Sequence, residues 1–452
     1  MAKRALQSLL ARCSFGRRQP TAFCGAPKEL PMDTLIDEET VPGYQASHYF
    51  PVRPGYIFNQ RYEAISKLGW GRHSTVWLVR DLKGWYSHPE RYLALKVSNH
   101  NIHAETFASY ELGMEHLIAR TDSWHKGCNY IRTYAEYFVA EGPNGAHICL
   151  AYEPMRESIA MLQSRFQIQR FSLGLLKVYI KILLRGLDYL HTERGIVHTN
   201  LRPKNILVSF EEPSALEDFA QLQASSPISR KSKDGTTLYL SQNDFGPLRS
   251  YFVYPKITDF GMAYELDDPT LMNRHLTLPD QYRPPEVILG ATWTCSADIW
   301  NLGLLMWNLL EGRDLFIPPI DSLGNYRPDA HLAHMTALLG PPPQELIRRE
   351  REGMGPKWDS PVKSPTGEMC SSAAEWYGGP FFDQNGEFLH RYPIPTGISL
   401  EDTVTCLEGE KKEQFLEFAR KMLQWLPEDR KTAKELIDDP WLSIESIKQE
   451  EA

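Results

Sequence analysis

Near Pro154 the hydrophobic periodicity of this chain changes from strand-like to helical, which demands two differently built parts. Before that point, Tyr62–Leu68, Thr75–Asp81 and Tyr92–Ser98 are β-branched, aromatic and partly alternating, the pattern of successive strands. A helical segment over His103–Ala119 and two further strands, Tyr134–Val139 and His147–Tyr152, complete this part. After it, Phe171–Leu190 places Leu176, Tyr179, Ile180, Leu183, Leu184 and Leu187 at helical spacing. Two lobes joined near Glu153–Met155 are expected, in an α+β chain with a β-rich first lobe and a mainly helical second one.

Composition narrows the function classes. Of 452 residues, 42% are hydrophobic and 23% charged, as in ordinary globular proteins. The net charge of −8 gives no global basic field for nucleic acid or anionic membrane. The most apolar stretch, Ile299–Leu310, is too short to span a bilayer and carries Asn301 and Asn308, so it reads as a buried core helix. Seven scattered cysteines (Cys13, Cys24, Cys128, Cys149, Cys295, Cys370, Cys406) form no metal-ligand pattern, and reduced thiols in an intracellular compartment are expected.

The first 28 residues carry Lys3, Arg4, Arg12, Arg17, Arg18 and Lys28 and no acid before Glu29. They fit either a mitochondrial presequence or a disordered basic leader. A segment punctuated by Pro31, Pro42, Pro51 and Pro54 follows. Two interruptions come later. Residues 209–255 hold acids (Glu211, Glu212, Glu217, Asp218) and then a Ser/Lys/Arg run, and read as a long functional or disordered loop. Gly353–Ser399 is rich in Pro, Gly and Ser and is expected to wrap the helical part irregularly.

Leu68-Gly69-Trp70-Gly71-Arg72-His73-Ser74-Thr75-Val76 lies between the first two strands. Gly69 and Gly71 let backbone N–H groups turn toward an anion such as a phosphate. Ser74 stands where a third glycine would complete G-x-G-x-x-G, and a plain hairpin satisfies the same letters. The next strand carries Ala94-Leu95-Lys96-Val97, whose lysine is either a solvent-face residue or a phosphate-holding cation. Glu111, fifteen residues on, is the candidate carboxylate partner, and Glu115 on the same helix face is the alternative.

Further motifs follow in a fixed order: His198-Thr199-Asn200-Leu201-Arg202-Pro203-Lys204-Asn205, Asp259-Phe260-Gly261, Pro284-Pro285-Glu286, Asp298-Ile299-Trp300-Asn301-Leu302-Gly303, and Arg430. In that order they resemble the signature set of the eukaryotic protein kinases. Within that superfamily the chain most resembles the SR-protein kinases and their fungal relatives. Gly69-Trp70-Gly71 with Ser74-Thr75-Val76-Trp77, His198-Thr199 and Gln281-Tyr282-Arg283 carry this likeness, as does the tail from Lys431 to Leu442. Residues 209–255 occupy the position of that group's spacer.

The resemblance covers Tyr56 to Leu442. It implies a leader and linker over 1–55, a kinase domain over 56–442 with N-lobe about 56–153 and C-lobe about 154–442, and a polar tail over 443–452. It also implies ATP held by Leu68, Gly69, Gly71, Ser74, Val76, Ala94, Lys96, Glu111, Tyr152, Glu153 and Met155, with Tyr152 as gatekeeper. Asn205 and Asp259 would bind Mg²⁺, while Glu286, Asp298 and Arg430 would be structural. The implied partner is an Arg/Ser-rich protein substrate. A monomer in cytoplasm or nucleus is expected, with the mitochondrion as the alternative from the leader. Asp314, Asp321 and Asp329 could serve a basic peptide, but solvated surface explains them equally.

Departures from the pattern fall in the catalytic loop. Asn200 replaces the family's catalytic aspartate, and an amide accepts a hydrogen bond but takes no proton. General-base help is worth roughly 10²–10⁴-fold, so phosphotransfer is expected to be weakened. Arg202 replaces a lysine with a planar fork, Thr199 removes the usual anchor for a phosphorylated activation loop, and Pro279 replaces a threonine. Two readings stand: a serine/threonine kinase of low activity, and a nucleotide-binding pseudokinase serving as scaffold or allosteric partner.

Overall fold

The computed structural model describes residues 19–83, 89–100, 102–119, 124–233, 235–251, 253–266, 280–316, 320–321, 324–353, 357–364, 367–390 and 393–443. Most of the basic leader and Pro279 lie outside the described residues. The chain divides into two compact units. The first runs to His116 and adds Arg132–Glu157 and Val208–Val253; the second takes the remainder.

The first unit is built on a six-stranded antiparallel sheet in the order β1-β2-β3-β4-β6-β5. Its strands are β1 (Ile57–Phe58), β2 (Tyr62–Gly71), β3 (Ser74–Asp81), β4 (Tyr92–Ser98), β5 (Tyr134–Glu141) and β6 (Ala146–Tyr152), with helix α1 (Ile102–Ala119) after β4. Strand alternation sorts the side chains onto two faces. Leu93, Leu95 and Val97 join Tyr62, Trp77 and Val79 in one core cluster, whereas Ala94 joins Leu150 and Tyr152 in another. A bulge after Lys67 shifts the β2–β3 register, pairing Lys67 with Trp77 and Gly69 with Val76.

The insert is ordered, contrary to the loop expected from its length and charge. Pro213–Ser225 is a helix, and Arg230–Lys233 with Thr236–Tyr239 forms a hairpin. The helix buries Phe219 and Ala220 against Ile65, Leu78 and Tyr92, with Phe245 in the same cluster. Its connections are anchored by a fully buried pair, Arg156 to Glu211 at 2.9 Å. The proline-punctuated segment is equally part of this unit. Leu30 N–H donates to Arg230 O and Arg230 N–H to Lys28 O, at 2.8 and 3.0 Å. Lys67, 1% exposed, is neutralised by Glu38 and by Asp37 at 2.9 Å, and Lys231 by Glu39 at 2.5 Å.

The second unit is mostly helical. The amphipathic helix Leu173–Asp188 starts where Ser172 accepts the Leu175 N–H, and it buries the residues that its periodicity marked. Ser296–Glu311 is the expected core helix, with Trp300 and Trp307 fully enclosed. Glu286 and Arg430, both without solvent exposure, meet through two hydrogen bonds of 2.8 and 2.6 Å. Within Gly353–Ser399 the chain is less irregular than its composition suggested, since Lys357–Lys363 pairs with Met369–Ser372 and a short helix follows. No helix among the described residues is long and apolar enough to cross a membrane. The six cysteines among them are free thiols.

Candidate functional site

In the first unit, one face of the sheet gathers Leu68, Val76, Ala94 and Tyr152 with Leu112 and Leu150. Val76 lies opposite Lys96, and Ala94 opposite Tyr152. Lys96 follows Ala94 by two residues and so shares its face. Its Nζ meets both Glu111 oxygens, at 2.5 and 2.8 Å, which decides the partner in favour of Glu111 over Glu115. Glu115 instead turns to Tyr152 and to the Tyr134 backbone. Glu153 is exposed and Met155 buried beyond the end of β6; the Glu153 carbonyl accepts from Arg132 Nε at 2.9 Å.

Gly69 and Gly71 close the β2–β3 hairpin with Ser74 paired to Gly71. Neither glycine has a positive φ. A Cβ on Gly69 would meet no atom within 4 Å, and one on Gly71 only the Ser74 hydroxyl at 3.8 Å. Neither turn geometry nor packing among the described residues requires glycine here.

In the second unit, Asp298 organises the catalytic loop. Its carboxylate accepts the N–H groups of His198 and Thr199, each at 2.8 Å, and lies 2.9 Å from His191 Nε2. These contacts hold Thr199 at φ 62°, a left-handed conformation that a β-branched residue rarely adopts. The Thr199 hydroxyl donates to Met262 O at 2.6 Å, so the residue at the arginine position ties the loop to the segment after Asp259. His198 Nδ1 accepts the Asn200 N–H at 3.2 Å, so Nε2 carries the proton and donates to Thr258 O at 2.9 Å. The His198 and Phe260 rings meet edge to face at 5.2 Å.

Asn200 and Asn205 interlock. Asn205 Nδ2 donates to the Asn200 carbonyl at 3.0 Å, which leaves the Asn205 Oδ1 for another ligand. Asn205 O in turn receives both the N–H and the hydroxyl of Thr258, each at 3.0 Å, placing Asp259 immediately beyond. Asp259 sits at φ 70°, tolerable for aspartate, with its side chain partly exposed. The Asn200 side-chain oxygen is buried and has no hydrogen-bond partner among the described residues. The guanidinium Nε of Arg202 is likewise buried without a partner among them. Asp314 accepts from Asn308 and Tyr282, Asp321 accepts from Asn325, and Asp329 pairs with Arg327, so each acid considered for peptide docking is already engaged.

The model of the protein kinase domain matches residues 62–244 and 248–442. The chain belongs to the protein kinase family. A serine/threonine protein kinase of Aspergillus fumigatus is 35% identical to this kinase over 414 residues, 90% of this chain and 91% of that one. The serine/threonine-protein kinase SRPK of Physarum polycephalum is 29% identical over 425 residues, 90% and 92% of the two chains. The crystal structure of a kinase domain superposes with a TM-score of 0.61 at 21% identity, over 88% of this chain and all of that one, and shares its fold. Its curated relatives thus include serine/threonine kinases, one of them named SRPK, the group that Gly69-Trp70-Gly71, His198-Thr199 and Gln281-Tyr282-Arg283 resembled.

Sequence reasoning did not identify two features. One is the Asp37–Glu38–Glu39 cluster on Lys67 and Lys231, which no local pattern reveals because its members lie about 30 to 200 residues apart in three segments. The other is the role of Glu115. Its only signal was the i,i+4 spacing from Glu111.

Proposed function

We propose that this kinase binds Mg·ATP and transfers phosphate slowly to serine in Arg/Ser-rich proteins, because Asn200 holds the acceptor hydroxyl without taking its proton. The buried Asn200 oxygen, without a partner among the described residues, carries this reading. It lacks a donor, and a serine hydroxyl would supply one. The amide thereby orients the nucleophile while the proton must leave by another route.

The residues present fit a magnesium ion. Asn205 Oδ1 and the Asp259 carboxylate are hard oxygen ligands, and the few protein ligands suit an ion that keeps water and phosphate in its shell. When bound, such an ion neutralises developing phosphate charge. Lys96, fixed by Glu111, supplies the cation for the α- and β-phosphates, and open space above Gly69 admits them. Leu68, Val76 and Ala94 offer an apolar surface to the base. The similarity to an SRPK supports the substrate class, through what that name says of the relative.

The same Asn200 supports a second reading, a pseudokinase that binds nucleotide and acts as a scaffold. Two measurements test them, and the second separates them. Mg·ATP should raise the melting temperature under both readings; no shift at millimolar ATP overturns both. Phosphate transfer to an Arg-Ser peptide should then rise at least ~10²-fold in Asn200→Asp, over a detectable wild-type rate. A wild-type rate of zero favours the scaffold, and equal rates in the two proteins refute the role given to Asn200.

A further inference from the structure

Glu115 is 1% exposed, and nothing in the proposed chemistry uses it. It lies one turn beyond Glu111, so both carboxylates face the same side of α1. The groups turned toward it are Lys96 on β4, Glu111 on its own helix, Tyr152 on β6, Tyr134 on β5 and Arg132 just ahead of β5. Lys96 is committed to Glu111. Glu115 makes different contacts: Oε1 accepts the Tyr152 hydroxyl at 2.8 Å, and Oε2 accepts the Tyr134 N–H at 2.8 Å. Beyond Tyr152, the Arg132 guanidinium lies 4.5 Å from the ring centroid and donates to Glu153 O. On the helix side, His116 Nδ1 is 2.9 Å from the Tyr134 hydroxyl.

We infer that Glu115 and Tyr152 form a latch: the carboxyl ties α1 to β5 and β6, keeps Glu111 on Lys96, and fixes the Tyr152 ring beside Ala94 and Leu112. Glu115 is thus a positioning residue, acting on the nucleotide site through Lys96 and Tyr152. A tethered tyrosine cannot swing aside, so ligands that reach past it are excluded. Its effect on ligands rests on the nucleotide-binding reading above; the latch itself does not.

The latch has a protonation state of its own. Burial, then the neighbouring Glu111 charge, pushes the Glu115 carboxyl up to about 8, against the opposing pull of Tyr152, the Tyr134 N–H and Lys96. Below that value Lys96 faces one carboxylate. Above it a second anion appears one turn away, competing with nucleotide phosphates for the same cation and repelling them.

The test uses the full chain with Glu115→Gln, Glu115→Leu and Tyr152→Phe. Infrared difference spectra of wild type minus Glu115→Gln should show a protonated carboxyl band that fades near pH 8. Calorimetric affinity for Mg·ADP should fall several-fold from about pH 7 to about pH 9 in wild type and stay level in Glu115→Gln. Tyr152→Phe, which keeps the ring but cuts the tether, should bind about tenfold more weakly and exchange α1 amides faster. Glu115→Leu should exchange α1 amides faster in the same way. The latch is refuted by α1 exchange unchanged in both Tyr152→Phe and Glu115→Leu, and a missing difference band refutes the protonation assigned to Glu115. If wild type binds no Mg·ADP, the nucleotide-binding reading fails, while the spectra and the exchange still decide the latch.

Discussion

Replacing Lys67 by methionine keeps the aliphatic stem and deletes the ammonium that joins the N-terminal segment, the insert and β2. In the native chain that ammonium pairs with Glu38, stands 2.9 Å from Asp37 and donates to Tyr239 O at 2.9 Å. Removing one partner of a buried ion pair costs about 3–5 kcal/mol, because a desolvated charge is left behind. Here two carboxylates lose their cation, which argues for the upper end. Asp37 still receives the N–H and hydroxyl of Ser241, at 2.7 and 2.5 Å, and Glu39 keeps Lys231 at 2.5 Å, which argues for the lower. A cost of about 3 kcal/mol is expected, or roughly 10²-fold in the opening equilibrium of this segment. Amide exchange reads it directly at Gln242, whose N–H donates to Lys67 O at 2.7 Å, and at Leu30 and Arg230.

The pH dependence sharpens this test. Burial already raises the Glu38 carboxyl above its ordinary 4.5, against the pull of Lys67. Without Lys67 it must rise further. A carboxyl whose folded-state value is raised holds its proton more tightly when folded, so its contribution is full at low pH and lost as pH climbs from the unfolded value through the folded one. The Lys67→Met deficit should therefore be smaller at about pH 5 than at about pH 8. Unchanged protection, or the same loss at both pH values, would refute the argument that uncompensated buried carboxylates cause the effect.

Arg430→Met should destabilise the second unit by about 3–5 kcal/mol, since Glu286 is left without its buried cation; calorimetric melting of the variant checks it. Phe219→Ala should cost about 3–5 kcal/mol, the range for deleting a buried aromatic ring, and limited proteolysis should then cut the insert around residues 226–229 faster. Gly303→Ala should cost about 1–3 kcal/mol, because its Cβ would come within 2.8 Å of the buried Leu423 side chain; a thermal melt equal to wild type would contradict that packing.

The local grammar of the chain was readable wherever contacts are short in sequence. Strands β2 to β6 and the helices Leu173–Asp188 and Ser296–Glu311 follow from period-2 and period-3.6 patterns, since both reflect which side of one element meets the core. The order of the motifs around Lys96, Asn200, Asn205 and Asp259 was enough to identify the kinase family, because each motif needs particular residue types at a fixed spacing. Tertiary structure decided which residues share an environment. The choice between Glu111 and Glu115 turned on which carboxylate reaches Lys96 and which reaches Tyr152, a matter of helix rotation that two acids one turn apart leave open. The insert read as a functional or disordered loop because of its length between two strands. It is ordered because Phe219 and Phe245 find Ile65 and Leu78 on β2 and β3, far off in sequence, and Lys231 finds Glu39. Asn200 lies between these cases: its letter announced the missing base, while only the fold showed an oxygen buried with no donor, since desolvation and hydrogen-bond satisfaction belong to the assembled loop.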